Sequence, residues 1–132
     1  MTLTDEQIKE LKQELAMHML TDKQLRTTAE KLIEAGHRVI HIGMHSFTPV
    51  LHGRMRLADV GFLYDPGRAH ESSLCLGWQK SLQAARPDLN VRRNYPYRGT
   101  TDGLTTSLRR IFPAESYIGV EVEVNQLWPL KY

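Results

Sequence analysis

The sequence predicts an α/β sandwich built on a mixed or mostly parallel sheet, and three observations support this. Segments with helical apolar spacing alternate with β-branched runs along the chain, the order expected of an α/β domain. The run Val39-Ile-His-Ile-Gly-Met-His45 ends in a histidine before the break at Pro49, as when a buried strand delivers a side chain to a crevice at its carboxyl end. From Tyr117 to Asn125 the side chains alternate, with Ile118, Val120, Val122 and Val124 on one face and Tyr117, Gly119, Glu121 and Glu123 on the other.

Taken in order, Thr4-Asp-Glu-Gln7 has the spacing of a capping box. Ile8, Leu11, Leu15 and Met19 continue it as one apolar stripe, so a first helix is expected over residues 4–19. Thr21-Asp-Lys-Gln24 repeats the box before a second helix, with Leu25, Ala29, Leu32 and Ile33 as its stripe and Gly36 as its terminator. A strand is expected over 38–45, then a loop holding Thr48, Pro49 and Gly53, then a strand over 58–64 closed by Asp65-Pro-Gly67. A third helix over 69–85, a short strand over 89–92, a loop over 94–103, a short helix over 104–112 and the final strand over 117–125 complete the chain. With no repeat or linker, residues 1–132 read as a single domain.

Composition bounds the function. The 132 residues are 41% hydrophobic and 24% charged, a soluble globular balance. Seventeen basic against fifteen acidic residues, a net charge of +2, is too even to imply a polyanion partner. A lone cysteine, Cys75, makes no internal disulfide, and with no signal-like leader the expected compartment is the cytoplasm. No apolar stretch approaches the roughly 20 residues of a membrane span.

Several groups could carry chemistry. Glu121 and Glu123 mark either a solvated sheet face or, since α/β sheets are usually covered, carboxylates needing a partner or a task. His41 and His45 cannot hold one metal ion together, because four residues of strand separate their Cα atoms by about 13 Å; His41 is then a packed or hydrogen-bonded histidine beneath His45. His18, His37, His52 and His70 read as surface residues, Trp78 and Trp128 as packing anchors, and Cys75 as a small core residue. The loop Asn94-Tyr-Pro-Tyr-Arg-Gly99 holds Arg98 on a stiff support suited to a carboxylate, or is a surface turn. Arg92, Arg93, Arg98, Arg109 and Arg110 with Tyr95 and Tyr97 offer a rival reading, a patch for single-stranded nucleic acid, which the charge balance weakens.

Four ordered segments, His45-Ser-Phe-Thr-Pro49, Arg56-Leu-Ala-Asp-Val-Gly-Phe-Leu-Tyr-Asp65, Asn94-Tyr-Pro-Tyr-Arg-Gly99 with Asp102-Gly103, and Gly119-Val-Glu-Val-Glu-Val-Asn-Gln126, resemble the N-formylglutamate amidohydrolase family. The similarity runs from about Arg38 to Gln126. It implies a three-layer sandwich around a mixed sheet of about four strands, part of the zinc-carboxypeptidase-like (phosphorylase/hydrolase-like) fold. It also implies hydrolysis of N-formyl-L-glutamate, or a similar small N-acyl amino acid, by zinc-activated water. Carried over position by position, His45 is a zinc ligand and Glu123 the general base and acid, with Glu121 second. Arg98, or less directly Asn94, Arg54, Arg56 or Arg109, would hold the substrate's carboxylate. Family members are longer, and the glutamate and histidine that complete the zinc ligands precede the matched region; no such pair occurs here. The chain is therefore expected to correspond to a C-terminal half, completed by a missing N-terminal half or lacking catalysis and left as a binding domain. Such a half exposes an unpaired apolar sheet edge, so a homo-oligomer is expected. Neither nucleic acid nor membrane is an expected partner.

Overall fold

The computed structural model describes residues 4–7, 9 and 21–128, and the chain divides into two compact units, Met1–Gly36 and His37–Tyr132. In the first unit, the Gln7 N–H donates to Thr4 Oγ1 at 3.2 Å and the Thr4 N–H donates to Gln7 Oε1 at 2.9 Å, the reciprocal bonds of a capping box. Most of the helix expected as far as Met19 lies outside the described residues. Helix α1 (Asp22–Glu34) opens on the same device at Thr21 and Gln24. Gly36, at φ +87°, follows its last turn in the left-handed conformation that glycine tolerates best, and its N–H donates to the Ile33 carbonyl at 2.9 Å.

The second unit runs β1 (Val39–Phe47), β2 (Val50–Leu51), β3 (Arg54–Met55), β4 (Val60–Leu63), α2 (Ala69–Ala85), β5 (Val91–Arg93), α3 (Leu104–Ile111) and β6 (Tyr117–Asn125). Four strands form a mixed sheet in the order β1-β6-β4-β5, with β1 parallel to β6, β6 antiparallel to β4, and β4 parallel to β5. This is the α/β class expected from the alternation of patterns. Strand β1 extends two residues past His45 because its ladder with β6 continues to Phe47 opposite Asn125. The loop expected around Gly53 contains an antiparallel hairpin, β2 and β3, turned by His52 at φ +50° and Gly53 at φ +76°. Two successive positive φ values are what a two-residue hairpin turn requires. No helix among the described residues is long and apolar enough to cross a membrane.

One sheet face is apolar. Phe62, Val91 and Val120 from the sheet pack with Tyr64 and with Cys75 of α2, and Leu74, Trp78 and Leu82 close over them. Cys75 is fully buried, and that burial, followed by the nearby Glu71 carboxylate, pushes its thiol up to about 12, far from a nucleophile's range.

The other face of β6 is at least as well covered. Tyr117, Gly119, Glu123 and Asn125 are all buried, so its polar residues do not form a solvated face. Helix α3 packs against β6 with Leu108 buried, and Phe112 just beyond it meets the Tyr117 ring at 5.8 Å. Of the apolar residues of α3, Leu108 is buried and Ile111 exposed, and the polar Thr105 and Arg109 are buried beside Leu108.

Strand β6 is longer than its neighbour β4, which leaves the β4-side backbone groups of Gly119 and Tyr117 without a strand partner. Side chains take its place. Glu71 Oε2 accepts from the Gly119 N–H at 3.1 Å, and Arg109 Nη2 donates to the Gly119 carbonyl at 2.9 Å. One residue pair further along, Arg68 Nη1 donates to the Tyr117 carbonyl at 3.2 Å. Glu71 and Arg109 pair with each other at 2.9 Å, and both side chains are almost fully buried.

Candidate active site

The parallel register of β1 and β6 places His45 directly opposite Glu123, and Gly43 opposite Glu121. Residues opposite one another in a parallel ladder project to the same face. The imidazole and both carboxylates therefore share one face near the carboxyl ends of two adjacent strands. The His45 ring folds back over Gly43, where a Cβ atom would meet Nε2 at 3.2 Å, and Nε2 comes within 3.9 Å of Glu121 Oε1. His45 is half exposed, while Glu123 is only 6% accessible.

Glu123 Oε2 is buried with no hydrogen-bond partner among the described residues. Burial raises the pKa of this carboxyl above its usual range, and the negative charge of Glu121 adds to the effect; the positive fields of His45 and Arg56 oppose it. A carboxylate so raised and left unsatisfied suits a group that accepts and returns a proton.

Antiparallel β4 puts Gly61 beside Glu123 on the same face, and the Tyr95-Pro96 backbone, joined by a cis peptide, crosses directly over Gly61. A side chain at 61 would occupy the position of the Tyr95 carbonyl, so glycine is required there. The crossing loop is held by Asn94, whose Oδ1 accepts from Tyr64 N–H at 3.1 Å and Gly99 N–H at 2.9 Å. Asn94 thus orders the loop. Asn94→Ala is expected to leave two amides without their acceptor and to cost about 2 kcal/mol, read by urea denaturation and by faster hydrogen exchange at Tyr64 and Gly99.

The arginines divide by environment. Arg109 is committed inward, with Nε on Glu71 and Nη1 on the Gly99 carbonyl at 2.7 Å. Arg98 and Arg54 are exposed and form no ion pair with a described residue. Arg93 donates to the Tyr64 hydroxyl at 3.2 Å, and Arg92 lies over the Tyr95 ring. Arg56 is buried; its guanidinium lies over the rings of Phe47 and Tyr97 and donates to the Tyr97 hydroxyl at 3.0 Å. Its backbone is fixed by Asn125, whose Nδ2 donates to the Arg56 carbonyl at 3.2 Å and the Ala58 carbonyl at 3.1 Å.

His41 sits two residues below Gly43 with Nδ1 at 2.8 Å from the Tyr117 hydroxyl, a hydrogen-bonded histidine under the site. Arg38 Nη2 lies 3.1 Å from His70 Nε2, His37 is exposed, and His18 falls outside the described residues. Glu71 and Asn125, which fix Arg109 and Arg56, carry no local sequence signal for that role. A catalytic zinc ion takes three protein ligands, and the described residues contain no group of three histidine, cysteine or acidic side chains able to hold an ion. His45 and its carboxylate neighbours are the right kinds of donor, but by themselves they do not fit the metal.

Fold and site together define a mixed α/β domain with a histidine and two carboxylates on adjacent strand ends. The chain is similar to a gene product of Agrobacterium tumefaciens known from its crystal structure, at 31% identity and a TM-score of 0.59 over 78% of this chain. It spans only 38% of that protein's length. No protein-family model matches the chain, and no curated protein does.

Proposed function

We propose that this chain is the general-base part of an amidohydrolase acting on N-formyl-L-glutamate or a similar N-acyl amino acid, in a domain of the zinc-carboxypeptidase-like type. The observation that carries the reading is the in-register pair His45 and Glu123, with the buried Glu123 carboxylate unsatisfied beside an accessible imidazole. Glu123 takes a proton from water as the water oxygen attacks the acyl carbon. The carbon–nitrogen bond then breaks, Glu123 returns the proton to the leaving nitrogen, and formate and the free amino acid result. His45 stands where the family's zinc ligand is expected; with a complete ligand group it would help hold an ion whose chemistry would be to activate the attacking water. A carboxylate-binding domain of the same fold without turnover is the second reading, favoured by the incomplete ligand group among the described residues.

Formate release from N-formyl-L-glutamate, with zinc supplied, tests the proposal. Turnover above the uncatalysed rate that is lost in Glu123→Gln is the expected result. Binding of the substrate without release of formate leaves the second reading.

A further inference from the structure

The two buried arginines of this protein are handled in opposite ways. Arg109 has a carboxylate against it and carbonyl acceptors for its remaining donors. Arg56 is only 8% accessible, yet no carboxylate of a described residue reaches ion-pair distance: Glu123 feels its field from further away, and Nη1 to the Tyr97 hydroxyl is its one side-chain hydrogen bond among the described residues. A guanidinium taken out of water without a carboxylate in contact is costly, so buried cations are ordinarily paired directly. Arg56 is nevertheless held firmly by the Phe47 and Tyr97 rings and by Asn125 on its backbone. It lines a cavity of about 500 Å³ between the β2–β3 hairpin and the Tyr95–Tyr97 segment. Leu51, Met55 and Pro96 supply apolar wall, and His52 and Arg54 stand at the same opening. That volume is within the range of small-molecule pockets.

We propose that this cavity binds an organic carboxylate with an apolar stem, the carboxylate held by the fork of Arg56 and the stem lying against Leu51, Met55 and Pro96. One planar fork lining the cavity matches a planar monoanion, whereas a tetrahedral dianion needs more donors than a single guanidinium gives. The aromatic sandwich fixes the fork before the ligand arrives, which lowers the ordering cost of binding. Assigning the bound group to the substrate of the hydrolytic site rests on the amidohydrolase reading; the binding itself does not.

Titration of ¹⁵N-labelled protein with hexanoate, hexanamide and inorganic phosphate tests this. Hexanoate is expected to shift the Met55 and Tyr97 amides saturably, and the two other probes to bind about tenfold more weakly or not at all. Arg56→Lys keeps the charge but loses the fork, and is expected to weaken hexanoate by about tenfold. Should that variant fail to fold, Tyr97→Phe removes only the hydroxyl that orients Arg56 and is expected to weaken binding about threefold. Equal binding of hexanamide, stronger binding of phosphate, or no saturable shift overturns the proposal. Hexanoate binding without formate release rejects the hydrolase and keeps the pocket; formate release without hexanoate binding does the reverse.

Discussion

Glu71→Ala is expected to destabilise the His37–Tyr132 unit by about 3–5 kcal/mol, because it strands a buried cation. Arg109 would lose its carboxylate partner, and the Asp65 and Gly119 N–H groups, which Glu71 accepts at 2.9 and 3.1 Å, would lose their acceptors. Native stabilities are about 5–15 kcal/mol, so this is a large share of the whole. The midpoint of thermal unfolding should fall by at least about 12 °C for a unit of this size. Urea denaturation of Glu71→Ala, Arg109→Met and the double variant measures how strongly the two are coupled. The double variant should recover part of the loss, since no bare charge then remains buried. Full recovery is not expected, because the Gly119 backbone still lacks the side chains that stand in for a strand. A loss below about 1 kcal/mol for Glu71→Ala would mean that the pair is an ordinary surface ion pair.

That pair also shows what the sequence could and could not reveal. Capping boxes and strand alternation are local, and the elements they mark are found at Thr21, at Val39 and along Tyr117–Asn125. The β2–β3 hairpin escaped because its turn is His-Gly, without the Asn or Asp that advertises two positive φ values. No local pattern marks Glu71, and Arg109 reads as one of several candidate holders of a carboxylate; they meet only when α2 and α3 converge on the bare edge of β6, 38 residues apart in the chain. For the same reason Asn94, read as a ligand contact, bonds the backbone of its own loop, and Asn125, part of a motif read for its glutamate, fixes the backbone of Arg56. The neighbourhood of His45 and Glu123 was legible because two strands ending in chemistry-bearing residues have few ways to align in one sheet. That Glu123 would be buried depends on the Tyr95-Pro96 backbone crossing Gly61, which no spacing rule encodes.

Glu123→Gln should separate function from stability in opposite directions. The amide keeps the shape of the carboxylate but cannot take a proton from water, so formate release should fall by about 10²–10⁴-fold. Stability should rise at neutral pH. Burial raises the Glu123 pKa in the folded state, so the unfolded chain ionises first as pH increases and gains relative to the fold. The penalty is absent below the usual carboxylate range, grows as pH climbs from there through the raised value, and is constant above it. Gln pays none of it. Urea denaturation at pH 3.5, 5, 6 and 8 should therefore show the variant gaining on the parent through the middle of this range, with the two closest at the acid end. If the variant is instead less stable at pH 8, the Glu123 carboxylate has a partner in solution that holds it ionised. The site would then be one that retains a cation or a donor against Glu123, and the residue could not serve as a free base.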